Sequence, residues 1–173
     1  MIRIFILPAL AALLALAGCG YHTVGAATHL PPDVKSLSVP VFATRTVMNG
    51  MEVPMTEAVI REFDTRTRLR VTPKTDNNSD AVLHGTILKE AVSPLTYNTA
   101  TQQSSSYLIT VTVAVTVNDR GGKVLYENQN YVYREQYQAT TNLPTFLEED
   151  PAAVQRISSN FARQLVADVL ESF

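Results

Sequence analysis

The stretch from Tyr107 to Asn118, YLITVTVAVTVN, constrains this chain more than any other. Tyr107, Ile109, Val111, Val113, Val115 and Val117 alternate with Leu108, Thr110, Thr112, Ala114, Thr116 and Asn118. A period of two sustained over the whole segment specifies a strand. Its first face is wholly apolar or aromatic and has to be covered, whereas its threonine face can meet water or a polar partner. Asp119, Arg120, Gly121 and Gly122 then supply a turn, and the chain returns from Val124 to Tyr137 as the second arm of a long hairpin. With Asn118 set opposite Lys123, Tyr107 falls near Arg134.

The rest of the chain reads around that hairpin. Leu37, Val39 and Val41 alternate as a first strand over residues 34–42, and Pro40 within it points to an edge position or a bulge. Val53, Met55, Val59, Ile60 and Phe63 recur at helical spacing, with Pro54 in the first turn, acids early and Arg66 late, so a helix is expected over 52–66. Leu69 and Val71 form a short strand before Pro73, and strand, helix, strand implies a parallel crossover. A third strand runs over 81–92, placing Val82, His84, Thr86 and Leu88 on one face. Glu148, Glu149 and Asp150 precede Pro151, and a helix follows with Val154, Ile157, Phe161, Leu165 and Val169 on one stripe. The expected fold is α+β, a mixed sheet of four or five strands with helices 52–66 and 151–172 packed on one face. Val53, Val59 and Phe63 would share that surface with Ile157, Phe161 and Leu165.

Apolar residues make up 46% of the chain, enough for one domain's core, but the first residues belong to a different purpose. Residues 1–18 carry Arg3, an apolar run and the ending Leu16-Ala17-Gly18 before Cys19, the pattern of a secretory signal too short to span a bilayer. Cys19 is the sole cysteine, so no intramolecular disulfide can form. Leu-Ala-Gly-Cys at this position resembles the bacterial lipobox, which assigns Cys19 as an acylated N-terminus anchored to a membrane. Gly20 is not the aspartate associated with inner-membrane retention, so the outer membrane, periplasmic side, is expected. Residues 19–33 read as a lipidated tether that includes His22 and His29, and 34–173 as one domain. Losing Arg3 leaves 13 Lys and Arg against 16 Asp and Glu, a balance that argues against nucleic acid as a partner.

Chemistry-bearing motifs are few. HExxH, GxSxG and a Walker A loop are absent, and Gly121-Gly122-Lys123 lies in a hairpin turn instead of between a strand and a helix. No enzyme, cofactor or metal site is expected, and His84 reads as structural. Two features remain. From Ala91 to Asn118, and again from Gln136 to Leu147, the chain carries no charge, and the hairpin register brings both stretches to one pole of the sheet. A strand end left free in water ordinarily carries charge against edge pairing, so such a pole suits contact with another protein. The second feature is Arg66, Arg68 and Arg70 at alternate positions, able to hold an anion if they share a strand face.

GCGYH at the lipobox, VKSLSVPVFATRT, GMEVPMTEAVIREF, DAVLHGTI, YLITVTVAVTVND and VLYENQNYVYREQY together resemble the lipopolysaccharide-assembly LptE family. The resemblance implies a lipoprotein that plugs and helps assemble a large LptD-type β-barrel and binds lipopolysaccharide during its insertion into the outer leaflet. Under it, Tyr97, Asn98, Thr99, Gln103, Ser105 and Gln138 become candidate barrel contacts, and Arg66, Arg68 and Arg70, with Lys123 and Arg134, candidate contacts to lipid phosphates. A lipoprotein regulator of a periplasmic cell-wall enzyme, such as a penicillin-binding protein, is the alternative that the same tether and small domain allow.

Overall fold

The computed structural model describes residues 31, 33–47, 50–76, 78–98, 103–138 and 151–172. The signal segment, Cys19, the tether histidines, Thr99 and the acidic run 148–150 lie outside the described residues. The elements in chain order are β1 (Ser36–Ser38), β2 (Ala43–Thr44), α1 (Glu52–Arg66), β3 (Arg70–Thr72), β4 (Ala81–Asn98), β5 (Gln103–Asp119), β6 (Val124–Gln138) and α2 (Pro151–Glu171).

The strand expected at 107–118 is the middle of β5, and its apolar face is the floor of the core. Tyr107, Ile109, Val111, Val113, Val115 and Val117 are all buried, while Thr110, Thr112 and Thr116 on the reverse face are half-buried. Sheet order is β3-β1-β4-β5-β6, with β2 also pairing to β4; β1, β2 and β3 join in parallel, and β4, β5 and β6 form an antiparallel meander. The sheet thus has six strands, where four or five were expected. Pro40 explains the extra one. Lacking an N–H, it interrupts the first-strand segment, so β1 and β2 pair in succession along the same side of β4. β1 is interior, flanked by β3 and β4, so the proline marks a break in the strand and not an edge.

Both helices cover the apolar face. Met55, Ala58, Val59 and Phe63 of α1 and Val154, Ile157, Phe161, Leu165 and Val169 of α2 join one continuous cluster with the β5 valines. Phe161 is its centre, meeting Phe42, Tyr131 and Tyr133 edge-on at centroid distances of 5.9, 5.8 and 5.4 Å. Val53, expected on the shared surface, is 52% exposed. Met51, just before the helix, is fully buried there instead. Polar bonds set how α2 lies on β6: Tyr131 donates to Asp168 at 2.7 Å, Tyr133 to Gln164 at 2.8 Å, and Arg156 to Glu135 at 2.6 Å.

The hairpin register differs from the expected one. Asn118 faces Val124, and beyond two bulges Tyr107 faces Tyr137, a slip of three residues from Arg134. Each bulge adds an unmatched residue to β6, which bends and twists the strand. β4 is also longer than expected, reaching Asn98, with a bulge that makes Leu88 the unmatched residue between Ile87 and Lys89.

Candidate functional site

Backbone pairing gathers the uncharged segments at one pole. Pro94 faces Tyr107, Tyr97 faces Ser104, Asn98 faces Gln103, and Ser106 faces Gln138 across the other side of β5. Tyr97, Asn98, Gln103, Ser105 and Gln138 therefore converge in the strands, and Thr99 lies outside the described residues. Along β5 this pole is separated from the Asp119 turn by the strand's 17 residues, about 55 Å of extended chain.

The opposite pole is charged and closely bonded. The Asp80 carboxylate accepts from the backbone N–H of Lys35 and of Ser36 at 3.0 Å each, from Ser36 Oγ at 2.8 Å, and from Arg120 at 3.1 Å. The Ser36 hydroxyl bond, ahead of the other contacts, holds the Asp80 carboxyl below the usual carboxylate range. Lys123 belongs here, in the hairpin turn beside an open depression of about 470 Å³ that Asp33, Asp80, Asp119 and Arg120 also line.

The candidate phosphate-binding residues do not form one cluster. Arg66 closes α1 and pairs with Glu62 at 2.6 Å, Arg68 lies in the connection, and only Arg70 is in a strand, at the β3 edge. The three therefore do not share a strand face. Arg66 is the last residue of the helix expected over 52–66, where it pairs with Glu62 one turn earlier. Arg134 lies on β6, at the far edge of the sheet from Arg70.

Strand alternation sends the neighbouring charges Lys89 and Glu90, and Arg134 and Glu135, to opposite faces of the sheet. Glu90 faces Val111 and Glu135 faces Ile109, both on the helix-covered side, whereas Lys89 faces Thr112 and Arg134 faces Thr110 on the open side. Lys89 was not legible as a site residue, since regular alternation sets it on the covered face and the bulge at Leu88 reverses that. His84 faces Thr116 and is exposed on the open side.

Glu90 also escaped the sequence reading. Both its carboxylate oxygens are buried without a hydrogen-bond partner, and burial, reinforced by the nearby charge of Glu52, pushes its pKa from 4.5 to about 7. Burial likewise raises the Tyr131 and Tyr133 hydroxyls, which keeps both as donors to α2. Among the described residues, no group of three or more His, Asp or Glu is placed to hold a metal ion.

No curated protein matches the sequence. Among solved structures, the fold is similar to a hypothetical protein from Chlamydia trachomatis, with 12% identity, a TM-score of 0.50, and 78% of this chain and 95% of that chain covered. It is similar also to a Caulobacter crescentus protein assigned as a lipoprotein, at 9% identity and a TM-score of 0.50, covering 76% of this chain and 87% of that one. At such identities these likenesses concern the fold alone. The family comparison reaches further, because the LptE model, described as lipopolysaccharide-assembly, matches residues 34–169, from the start of the first-strand segment almost to the end of α2. The sheet, α1, α2 as far as Val169 and the uncharged pole all fall within that match, and the chain belongs to the LptE lipopolysaccharide-assembly family.

Proposed function

We propose that this chain is an outer-membrane lipoprotein, acylated at Cys19 and facing the periplasm, whose domain plugs an LptD-type β-barrel, assists its assembly and binds lipopolysaccharide on its way to the outer leaflet. Membership of a lipopolysaccharide-assembly family supports the general role. The observation that carries the plug reading is the uncharged pole, where β4, β5 and β6 pair across Tyr97, Asn98, Gln103 and Gln138 without one charged side chain among them. An end enclosed by a barrel wall has this composition for a physical reason, since a charge placed there loses its hydration and finds no counterion.

A photocrosslinker at Asn98 or Ser105 tests the reading directly. Capture of a β-barrel much larger than this chain is expected, together with reduced recovery of that complex from a Thr99→Arg, Gln103→Glu variant whose own melting temperature stays near the parent's. Capture of a cell-wall synthase, with normal outer-membrane lipopolysaccharide in the variant, would replace the plug by the regulatory reading. The α1–β3 arginines have their own test: because a helix end, a connection and the β3 edge keep Arg66, Arg68 and Arg70 apart, converting them to glutamine should leave lipopolysaccharide binding unchanged, and weakened binding would restore them as candidate contacts.

A further inference from the structure

The open face of the sheet carries a band of cations that nothing within the described chain neutralises. Lys89 and Arg134 are both exposed, neither has a partner among the described residues, and they flank β5 at Thr112 and Thr110. Their sequence neighbours Glu90 and Glu135 would screen them on a flexible chain, but the pleat turns both acids to the covered side, where Glu135 is already held by Arg156. Arg45 extends the band. Its backbone N–H donates to the Ile87 carbonyl at 2.9 Å, and alternation from Ala43, which faces Thr86, carries its side chain to the same open side. On this face of the β4–β5–β6 meander the one acid is Glu127, opposite Thr116, about 13 Å along β5 from Thr112.

A bare row of cations on a structured surface is electrostatically costly, because like charges are held near one another without counter-charge. It is suited to a ligand that brings the counter-charge. Lys89 and Arg134 are two strand spacings apart across the sheet, about 10 Å, and two residues out of level along β5, about 7 Å, so their positions are separated by about 12 Å, and Arg45 adds one more spacing beyond Lys89. The half-buried Thr110 and Thr112 hydroxyls lie between them and can donate to phosphoryl oxygens. Val132, 40% exposed and opposite Thr112, gives the band an apolar neighbour. From this geometry we infer that the open sheet face at Arg45, Lys89, Arg134, Thr110 and Thr112 binds a lipid headgroup bearing two phosphates about a nanometre apart, the bisphosphorylated disaccharide of lipopolysaccharide. The inference rests on the lipopolysaccharide-binding part of the proposed function and assigns it to this face in preference to the α1–β3 arginines.

Bisphosphoryl and monophosphoryl lipid A, offered to the full chain in detergent micelles, discriminate the possibilities. The parent should bind the bisphosphoryl form about tenfold more tightly, the effect of one additional charge-assisted contact. A Lys89→Gln, Arg134→Gln variant should lose that preference while keeping the parent's melting temperature, since both side chains are exposed. A Thr110→Val, Thr112→Val variant should reduce the preference by a smaller factor. Equal binding of the two lipids by the parent, or a preference that survives Lys89→Gln, Arg134→Gln and disappears only when Arg66, Arg68 and Arg70 are replaced, overturns this site and leaves the proposed function standing. Failure of the parent to bind either lipid overturns both.

Discussion

Glu90 shows how far a single residue can depart from what its neighbours suggest. It sits beside Lys89 in sequence, yet its carboxylate is enclosed against β5 and α1 with only Glu52's like charge nearby. Because its folded-state pKa is raised from 4.5 to about 7, the stability linked to its protonation is complete below pH 4.5 and is lost as pH rises through about 7. Glu90→Gln should therefore be more stable than the parent above pH 7 by about 1 kcal/mol, after allowance for partial solvent access, with no gain below pH 4.5. Melting curves across that range check it, and a pH-independent gap would rule out the assignment. Asp80 has the opposite sign. Its pKa is depressed, chiefly by the Ser36 hydroxyl, so its contribution is present above pH 3.8 and is lost on acidification. Asp80→Asn should flatten the acid limb of the stability curve and be the weaker protein at neutral pH. Gly85 is required for another reason: a Cβ there would lie 2.4 Å from Phe42 Cε2, inside the packed aromatic cluster. Gly85→Ala should cost about 1–3 kcal/mol by overpacking, measurable by denaturant titration.

At the level of elements, the helices were legible and the strand registers were not. Glu52–Arg66 and the start of α2 at Pro151 agree with the expected bounds, because an apolar stripe, early acids and a first-turn proline are local signals. Bulges in β4 and β6 depend on which residues can be accommodated across the sheet, and no local pattern announces them. Together with a one-residue slip at the turn they moved Tyr107 from the expected level of Arg134 to that of Tyr137, and the β4 bulge turned Lys89 to the open face. The junction of α2 with the sheet is the element most sensitive to one change. Phe161 is fully buried and touches three rings, so Phe161→Ala should cost about 3–5 kcal/mol and lower the melting temperature accordingly. A loss under 1 kcal/mol would mean that α2 does not seat as described.

The whole molecule is a polarised object. Its charged pole, at Asp80 and the β5–β6 turn, is adjacent to Pro31 and Val34, where the chain enters the domain, and its uncharged pole is at the far end of β5. The proposed tether therefore joins the domain at the charged pole, and the end proposed to meet the barrel is the far one. Cys19→Ser should abolish incorporation of a fatty-acid probe and leave an unprocessed or soluble precursor. Normal labelling of that variant would remove the lipoprotein reading, while the domain's family membership would be unaffected.

What the sequence determined by itself is what short-range chemistry encodes: the long alternating strand, its buried face, both helices, the α+β class and the family pattern. The same information located the two uncharged stretches and anticipated that a hairpin would join them. Tertiary structure alone decided the rest. It split the first strand at Pro40 into two that share one partner, and sorted Lys89 and Arg134 from Glu90 and Glu135 onto opposite faces. Each of these depends on register across distant strands, where a single unmatched residue reverses the face of every side chain that follows.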